Sequence, residues 1–104
     1  MNDATQKRID RLLKSATNAR NAKNRAQREA AQTFLIKRAD ELRADRDAMH
    51  AKLDRQWDWL DAHPDDDRYP ARELQALELL HDYEAVCDAL HNALGVWLEG
   101  KEAA

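Results

Sequence analysis

The chain has 104 residues and a mass of 12.0 kDa, which is enough for one domain at most. Glycine and proline occur twice each and 36% of the residues are charged, so the composition excludes a β-rich domain and favours an all-α fold. The net charge is −3, the mean hydropathy is −0.89, and no apolar run is long enough for a membrane span or a signal peptide, so we expect a cytoplasmic protein without a membrane partner.

The charges are sorted along the chain. Residues 1–32 carry eight basic and three acidic side chains, a net +5, and residues 33–62 carry six basic and seven acidic ones, a net −1. Residues 63–104 carry three basic and ten acidic side chains, a net −7. Because one-sided charge acts on partners rather than on the fold, we divide the chain into a basic N-terminal helical arm, residues 1–32, and a helical hairpin core, residues 33–104.

The first predicted element is a long helix, because neither glycine nor proline occurs between Asp3 and Ala62. Its second half carries a coiled-coil-like apolar stripe. The stripe consists of Leu35, Ala39, Leu42, Met49, Leu53, Trp57 and Leu60. Between Ser15 and Thr33 every apolar residue is an alanine, which buries little surface, so we expect a kink or a frayed stretch near residues 15–24.

Three larger apolar residues precede this weak stretch and form a small apolar clasp: Ile9, Leu12 and Leu13. An apolar helix face needs another element to cover it. The clasp therefore either folds back on the hairpin as a third helix or contacts a second chain, and the sequence leaves both arrangements open.

A polar loop at residues 63–70 separates the first helix from a second one. Pro64 disfavours helix at the residue before it, and Pro70 suits the first turn of a new helix. The second helix is predicted over about residues 71–99, with Gly100 directly after its end. Two helices joined by a short loop form an antiparallel helical hairpin.

The second helix is apolar on two adjoining faces, of which the first helix covers only one. The other face requires the clasp or a second copy of the chain, and we favour a homodimer with a four-helix bundle core. The residues predicted at a partner or dimer interface are Leu79, Tyr83, Val86, Leu90, Trp97 and Trp59. Trp59 lies two positions from the core residue Trp57 and therefore points away from it, and packing against the loop is the alternative for this side chain.

The basic arm contains the kinds of side chain that bind nucleic acid. Arginine and lysine neutralise phosphates, and asparagine reads base edges. We predict phosphate contacts from Lys14, Arg20, Lys23, Arg25 and Arg28, and base contacts from Asn21 and Asn24. Two alternatives remain for the same stretch, an acidic protein partner and a purely solvated helix face.

The favoured function is that of a non-enzymatic regulatory or accessory protein whose basic N-terminal helix binds DNA or RNA. One alternative is a protein-binding adaptor or inhibitor of the kind made by mobile elements and phages, which acts through the basic arm or through the acidic hairpin. The hairpin would then mimic nucleic acid with the carboxylates of Glu73, Glu78, Asp82, Glu84 and Asp88. A second alternative is a structural coiled-coil oligomer.

The remaining motifs predict no catalytic residue, no cofactor and no metal site. Carboxylate–histidine pairs at i, i+3 can bind metals in helical bundles, and three such pairs occur: Asp47 with His50, Glu78 with His81, and Asp88 with His91. A chain with 20 acidic residues forms such pairs by chance. The predicted hairpin brings His50 near Tyr83, and the lone Cys87 is predicted to be a buried thiol.

Overall fold

The computed structural model describes the backbone of residues 1–103 and the side chains of residues 1–95. Over these residues the chain forms three α-helices and no strand, which confirms the all-α class. The helices are α1, Asp3–Arg20, then α2, Arg25–Ala62, and α3, Tyr69–Ala103. The first predicted helix is therefore divided in two, because residues 21–24 interrupt it inside the stretch where a kink was expected.

Capping interactions explain where α1 ends and α2 begins. Asn21 is the C-cap of α1, and its N–H donates to the carbonyl oxygen of Thr17 at 3.0 Å. Asn24 is the N-cap of α2, and its side-chain oxygen accepts a hydrogen bond from the N–H of Gln27 at 2.9 Å. The side chain of Gln27 in turn accepts from the N–H of Lys23 at 3.1 Å, an arrangement close to a capping box. These bonds satisfy donors that a helix start leaves open.

The chain reverses at residues 21–24, so α1 packs antiparallel to α2 and parallel to α3. Arg8 of α1 forms a bidentate ion pair with Asp45 of α2, and one of its two hydrogen bonds measures 2.9 Å. The amino group of Met1 lies 3.2 Å from a carboxylate oxygen of Asp82 on α3. The clasp therefore folds back as a third helix, the first of the two arrangements that the sequence left open.

The register of α2 against α3 agrees with the prediction. The rings of His50 and Tyr83 lie 5.9 Å apart between centroids. The second predicted helix is longer than expected, because it begins at Tyr69 and continues to Ala103, so that Gly100 lies inside α3 instead of ending it. A glycine ends a helix where it adopts the left-handed conformation, whereas the residues after Gly100 are helix formers. In this register the end of α3 comes level with the second turn of α2.

The hydrophobic core lies where α1 covers the hairpin. Leu12, Leu42 and Val86, one from each helix, are fully buried. The cluster of buried residues comprises Ile9, Leu12, Ala16, Ala19, Leu35, Ala39, Leu42, Val86, Ala89, Leu90 and Ala93. Ala16 and Ala19 belong to the stretch that was expected to anchor a helix poorly. Their small side chains are buried in the cluster, which explains why α1 stays helical as far as Arg20.

The predicted apolar stripe of α2 is confirmed by its burial. Five of its seven residues are buried, and the other two, Met49 and Trp57, are half-buried. The half of the stripe nearest the loop packs on α3 alone, since Met1 at the start of α1 reaches only the level of Leu77 and Asp82. We call this part of the hairpin the two-helix end.

The molecule is elongated, with extents of 61 × 25 × 15 Å. Its long axis follows α2, whose 38 residues span about 57 Å. The junction of α1 and α2 therefore lies at the opposite end of the molecule from the loop between α2 and α3. Over the described residues, none of the three helices combines the length and the apolar character that crossing a bilayer requires.

Candidate nucleic-acid interface

The predicted phosphate-binding side chains collect around the junction of α1 and α2. We call residues 20–28 the basic tip. Lys14, Arg20, Lys23 and Arg25 are exposed, and Arg28 is half-buried. The start of α2 carries the positive end of the helix macrodipole, and no acidic residue in its first turn offsets that charge. The basic tip therefore combines the positive charges of its side chains with the positive end of the α2 macrodipole.

Within residues 1–95, the carboxylates of the hairpin leave the basic tip largely unpaired. Arg25 pairs with Glu29 at 2.9 Å, in a local contact whose two side chains are 91% and 64% exposed. Among residues 1–95, the ion pairs within 4.0 Å involve none of Lys14, Arg20, Lys23 and Arg28. An exposed pair such as Arg25 with Glu29 is worth little, so it does not withhold the arginine from a polyanion.

A second group of cations lies along the outer face of α1. Lys7, Arg11 and Lys14 are exposed at intervals of four and three residues, which places them on one helix face. Asn18 and Asn21 continue the same face toward the basic tip and are also exposed. Sequence reasoning counted Lys7 and Arg11 only in the charge of the arm. The 3.6-residue period of the basic positions was the signal that could have identified them.

One cation of the arm is engaged inside the molecule. Arg8 is half-buried against α2, where its guanidinium donates two hydrogen bonds to Asp45. Hydrogen bonding to Asp45 raises the pKa of Arg8 above its ordinary value. Arg8 therefore fixes α1 to the hairpin and is not a free phosphate ligand, whereas the basic tip beyond it remains exposed.

The two predicted base readers occupy the two caps of the junction. Asn21 is the C-cap of α1, and its side chain is exposed. Asn24 is the N-cap of α2, so its side-chain oxygen is engaged with the N–H of Gln27 while its amide group remains a donor. In this structure Asn24 has a structural role that the sequence prediction did not include.

Five of the six predicted interface residues, all except Trp59, divide into three groups. Val86 and Leu90 are buried in the core of the same chain, because α1 fills the face that a second copy was expected to cover. Leu79 and Tyr83 are half-buried. Trp97 lies outside the residues whose side chains are described.

Tyr83 also has a neighbour on its own helix. Its hydrogen bond with Cys87, one turn further along α3, raises the pKa of Tyr83 above its ordinary value. Cys87 itself is half-buried, whereas a fully buried thiol was expected from its place among leucines and alanines. Cys87 is the single free cysteine among residues 1–95.

Trp59 packs against the loop, the alternative that the sequence left open for it. Its ring stacks on His63 at a centroid distance of 4.5 Å and an interplanar angle of 16°. The guanidinium of Arg72 lies 4.4 Å from the centroid of the Trp59 ring, and that of Arg68 lies at 5.3 Å. These contacts join the end of α2 to the start of α3.

The loop end of the molecule has the opposite charge to the basic tip. Asp66 accepts hydrogen bonds from the backbone N–H and the guanidinium of Arg68 at 2.8–3.0 Å. These bonds lower the pKa of Asp66 from 3.8 to about 2, so its carboxylate remains charged in weak acid. The exposed Asp65 and Asp67 flank it. The molecule therefore has a basic end and an acidic end along its long axis.

The carboxylate–histidine pairs do not converge. His50 contacts Asp54, four residues after it, at 3.4 Å. Over the described residues, no three histidine, cysteine or carboxylate side chains lie close enough together to hold a metal ion. Comparisons of the chain with protein-family models, with curated proteins and with solved structures find no significant match.

Proposed function

We propose that this protein is a non-enzymatic helical interaction protein whose basic N-terminal region binds a nucleic acid in a regulatory or accessory role. The observation that carries the proposal is the exposure of the basic tip. Three of its four nominated cations, Arg20, Lys23 and Arg28, have no carboxylate within 4.0 Å among residues 1–95, and the same holds for Lys14 on α1.

The register of the helices explains the exposure. Because Arg8 meets Asp45, Arg20 comes level with about residue 33 of α2, and the first two turns of α2 extend beyond α1 by about 12 Å. These turns carry Arg25 and Arg28. A projecting helix start with two arginines presents both backbone N–H groups and guanidinium groups, which are the donors that position phosphates.

The proposal is tested by measuring the binding of fluorescently labelled single-stranded DNA, duplex DNA and RNA to the full chain at low salt. We expect binding that weakens steeply as salt is added, because each neutralised phosphate releases condensed counterions. Absence of binding to every one of these probes at tens of micromolar protein, in low salt, contradicts the proposal.

The acidic surface supports a second candidate function, a protein-binding adaptor or inhibitor. Glu78, Glu84 and Asp88 of α3 are exposed, and Asp82 is engaged with the amino group of Met1. A basic groove on a partner protein would take up such a surface as it takes up nucleic acid. Retention of a protein partner from a nuclease-treated lysate, together with a loss of retention for the double variant Glu84→Gln, Asp88→Asn, distinguishes this function from nucleic-acid binding.

We also propose that the chain self-associates through the two-helix end. Leu74 and Leu77 are 58% and 47% exposed there, one turn apart on α3, with Leu77 at the level that Met1 reaches and Leu74 nearer the loop. Two copies that join these faces would form a four-helix bundle, through Leu74 and Leu77 instead of the interface residues predicted from the sequence. Sedimentation of a dimer that Leu77→Lys converts to a monomer supports this arrangement. A monomeric full chain contradicts it, and an open-ended assembly favours the structural coiled-coil oligomer.

A further inference from the structure

A groove between α1 and α3 lies beside the basic tip and has no role in the fold. Its volume is about 450 Å³. The side chains that line it are Leu13, Ala16, Thr17 and Arg20 from α1, and His91, Asn92 and Gly95 from α3. The groove contains one of the nominated phosphate ligands, Arg20, together with three α3 residues that the sequence did not connect with the basic arm.

The lining is apolar on one side and polar on the other. Leu13, which is 39% exposed, and the buried Ala16 form the apolar part. Arg20, His91 and Asn92 supply nitrogen donors from both helices. Arginine is the side chain best suited to a phosphate, because its planar group donates two parallel hydrogen bonds. A sugar-phosphate unit matches both sides of the groove, because its sugar face is apolar and its phosphate accepts hydrogen bonds from nitrogen donors.

Gly95 keeps the groove open on the α3 side. A Cβ atom added at Gly95 would meet nothing within 4 Å, so packing does not require a glycine at this position. Glycine inside a helix is unfavourable relative to alanine, because it loses more conformational freedom on folding. The absent side chain therefore costs helix stability and leaves space in the groove next to His91 and Asn92.

We propose that this groove binds the sugar-phosphate backbone of a single-stranded nucleic acid, with phosphate at Arg20 and Asn92 and sugar against Leu13. The inference rests on the proposed nucleic-acid function and extends it to a preferred strand state. A groove of about 450 Å³ is too small to enclose a duplex, whereas positively charged grooves commonly follow single strands. Asp88, one turn before Asn92 on α3, opposes the phosphate and limits the affinity.

Two substitutions at Gly95 distinguish the effect of filling the groove from the effect of replacing a glycine inside α3. Gly95→Gln places a long neutral side chain in the groove, and we expect binding of an oligothymidine single strand to weaken by about tenfold, the equivalent of one lost hydrogen bond to a charged group. Gly95→Ala adds only the Cβ, which meets nothing within 4 Å, so binding should weaken less than in Gly95→Gln. Duplex binding through the basic tip should be the same for both variants.

Arg20 provides a test that does not depend on Gly95. Because Arg20 is exposed, Arg20→Gln leaves the core intact, and we expect the slope of log affinity against log salt for the single strand to become shallower by about 0.7, the loss of one phosphate contact. Asp88→Asn should tighten single-strand binding.

These experiments distinguish failure of the groove proposal from failure of the proposed nucleic-acid function. Single-strand binding that is unchanged in Gly95→Gln overturns the groove while the proposed function stands, provided that a tip variant such as Lys23→Gln, Arg25→Gln still weakens binding. Failure of the natural chain to bind any nucleic acid overturns both.

Discussion

Arg8 and Asp45 form the ion pair that joins α1 to α2, and both side chains are partly shielded from solvent, at 33% and 19% exposed. The pair lies about halfway along α2, where it sets the register of α1 and therefore the distance by which the basic tip projects. Most other ion pairs in residues 1–95 join side chains within one helix or loop. The orientation of the tip thus depends on a contact remote from it.

Asp45→Asn should loosen α1. The substitution removes the charge that Arg8 meets, so we expect a lower midpoint of thermal unfolding and faster amide exchange along α1 than along α2. Asp40→Asn is the matched control, because Asp40 is 64% exposed and pairs only with Arg43 on its own helix. Equal effects of the two substitutions would contradict the role assigned to the interhelical pair.

Leu12→Ala should be strongly destabilising. Leu12 is fully buried among the three helices, and removal of a buried leucine side chain costs about 2–5 kcal/mol through lost burial and the cavity it leaves. Leu13→Ala, at the next position but 39% exposed, should cost less than about 1 kcal/mol. Denaturant unfolding of the two variants measures both values, and a reversed order would mean that α1 packs by another face.

Asn24→Ala should weaken the start of α2. The substitution removes the N-cap hydrogen bond to the N–H of Gln27, a change that costs about 1 kcal/mol of stability at a helix N-terminus. Asn18→Ala, on the exposed face of α1, should be neutral or slightly stabilising, since alanine is the better helix former. Chemical denaturation of both variants checks the assignment. An unchanged Asn24→Ala variant would show that the break between the helices does not depend on this cap.

The loop should respond to acid through Asp66. Its pKa is lowered in the folded chain from 3.8 to about 2 by the hydrogen bonds from Arg68, so the carboxylate stabilises the fold at any pH above 3.8. This contribution is lost as the pH falls from 3.8 toward 2. Titration of the carboxyl carbon by NMR should show the low pKa in the natural chain and a return toward 3.8 in Arg68→Gln. Arg72→Gln is the control: it also removes an arginine that lies over the Trp59 ring, but it should leave the lowered pKa of Asp66 unchanged.

The apolar pattern and the loop could be read from the sequence, whereas the three-helix arrangement was only one of two possibilities that the sequence left open. Leucines at helical spacing identified the buried stripe of α2, and the position of the loop placed His50 beside Tyr83. The return of α1 depended on Ala16 and Ala19, whose small side chains looked too weak to hold a helix but are buried beside Leu12. Burial by close approach of backbones depends on the shape of the neighbouring helices, which a sequence pattern does not contain.

The sequence predicted which basic residues form the candidate site, but it did not predict how the fold arranges them. The basic residues and their excess over carboxylates were evident, whereas their exposure follows from the register set by Arg8 and Asp45. The break that creates the tip had a sequence signal, the spacing of Asn24 and Gln27. The contribution of His91 and Asn92 to a groove with Arg20 required the fold, since these residues are about 70 positions away in the sequence.

The salt dependence of nucleic-acid binding by two variants of equal charge tests the central claim most directly. Lys23→Gln, Arg25→Gln removes one lysine and one arginine from the basic tip, and Lys52→Gln, Arg55→Gln removes the same pair from exposed positions of α2 near the loop. We predict that the tip variant binds more weakly and that its slope of log affinity against log salt is shallower by about 1.4–1.8, the loss of two phosphate contacts. The variant near the loop should keep the natural slope, and an equal reduction of the slope in both variants would contradict the account.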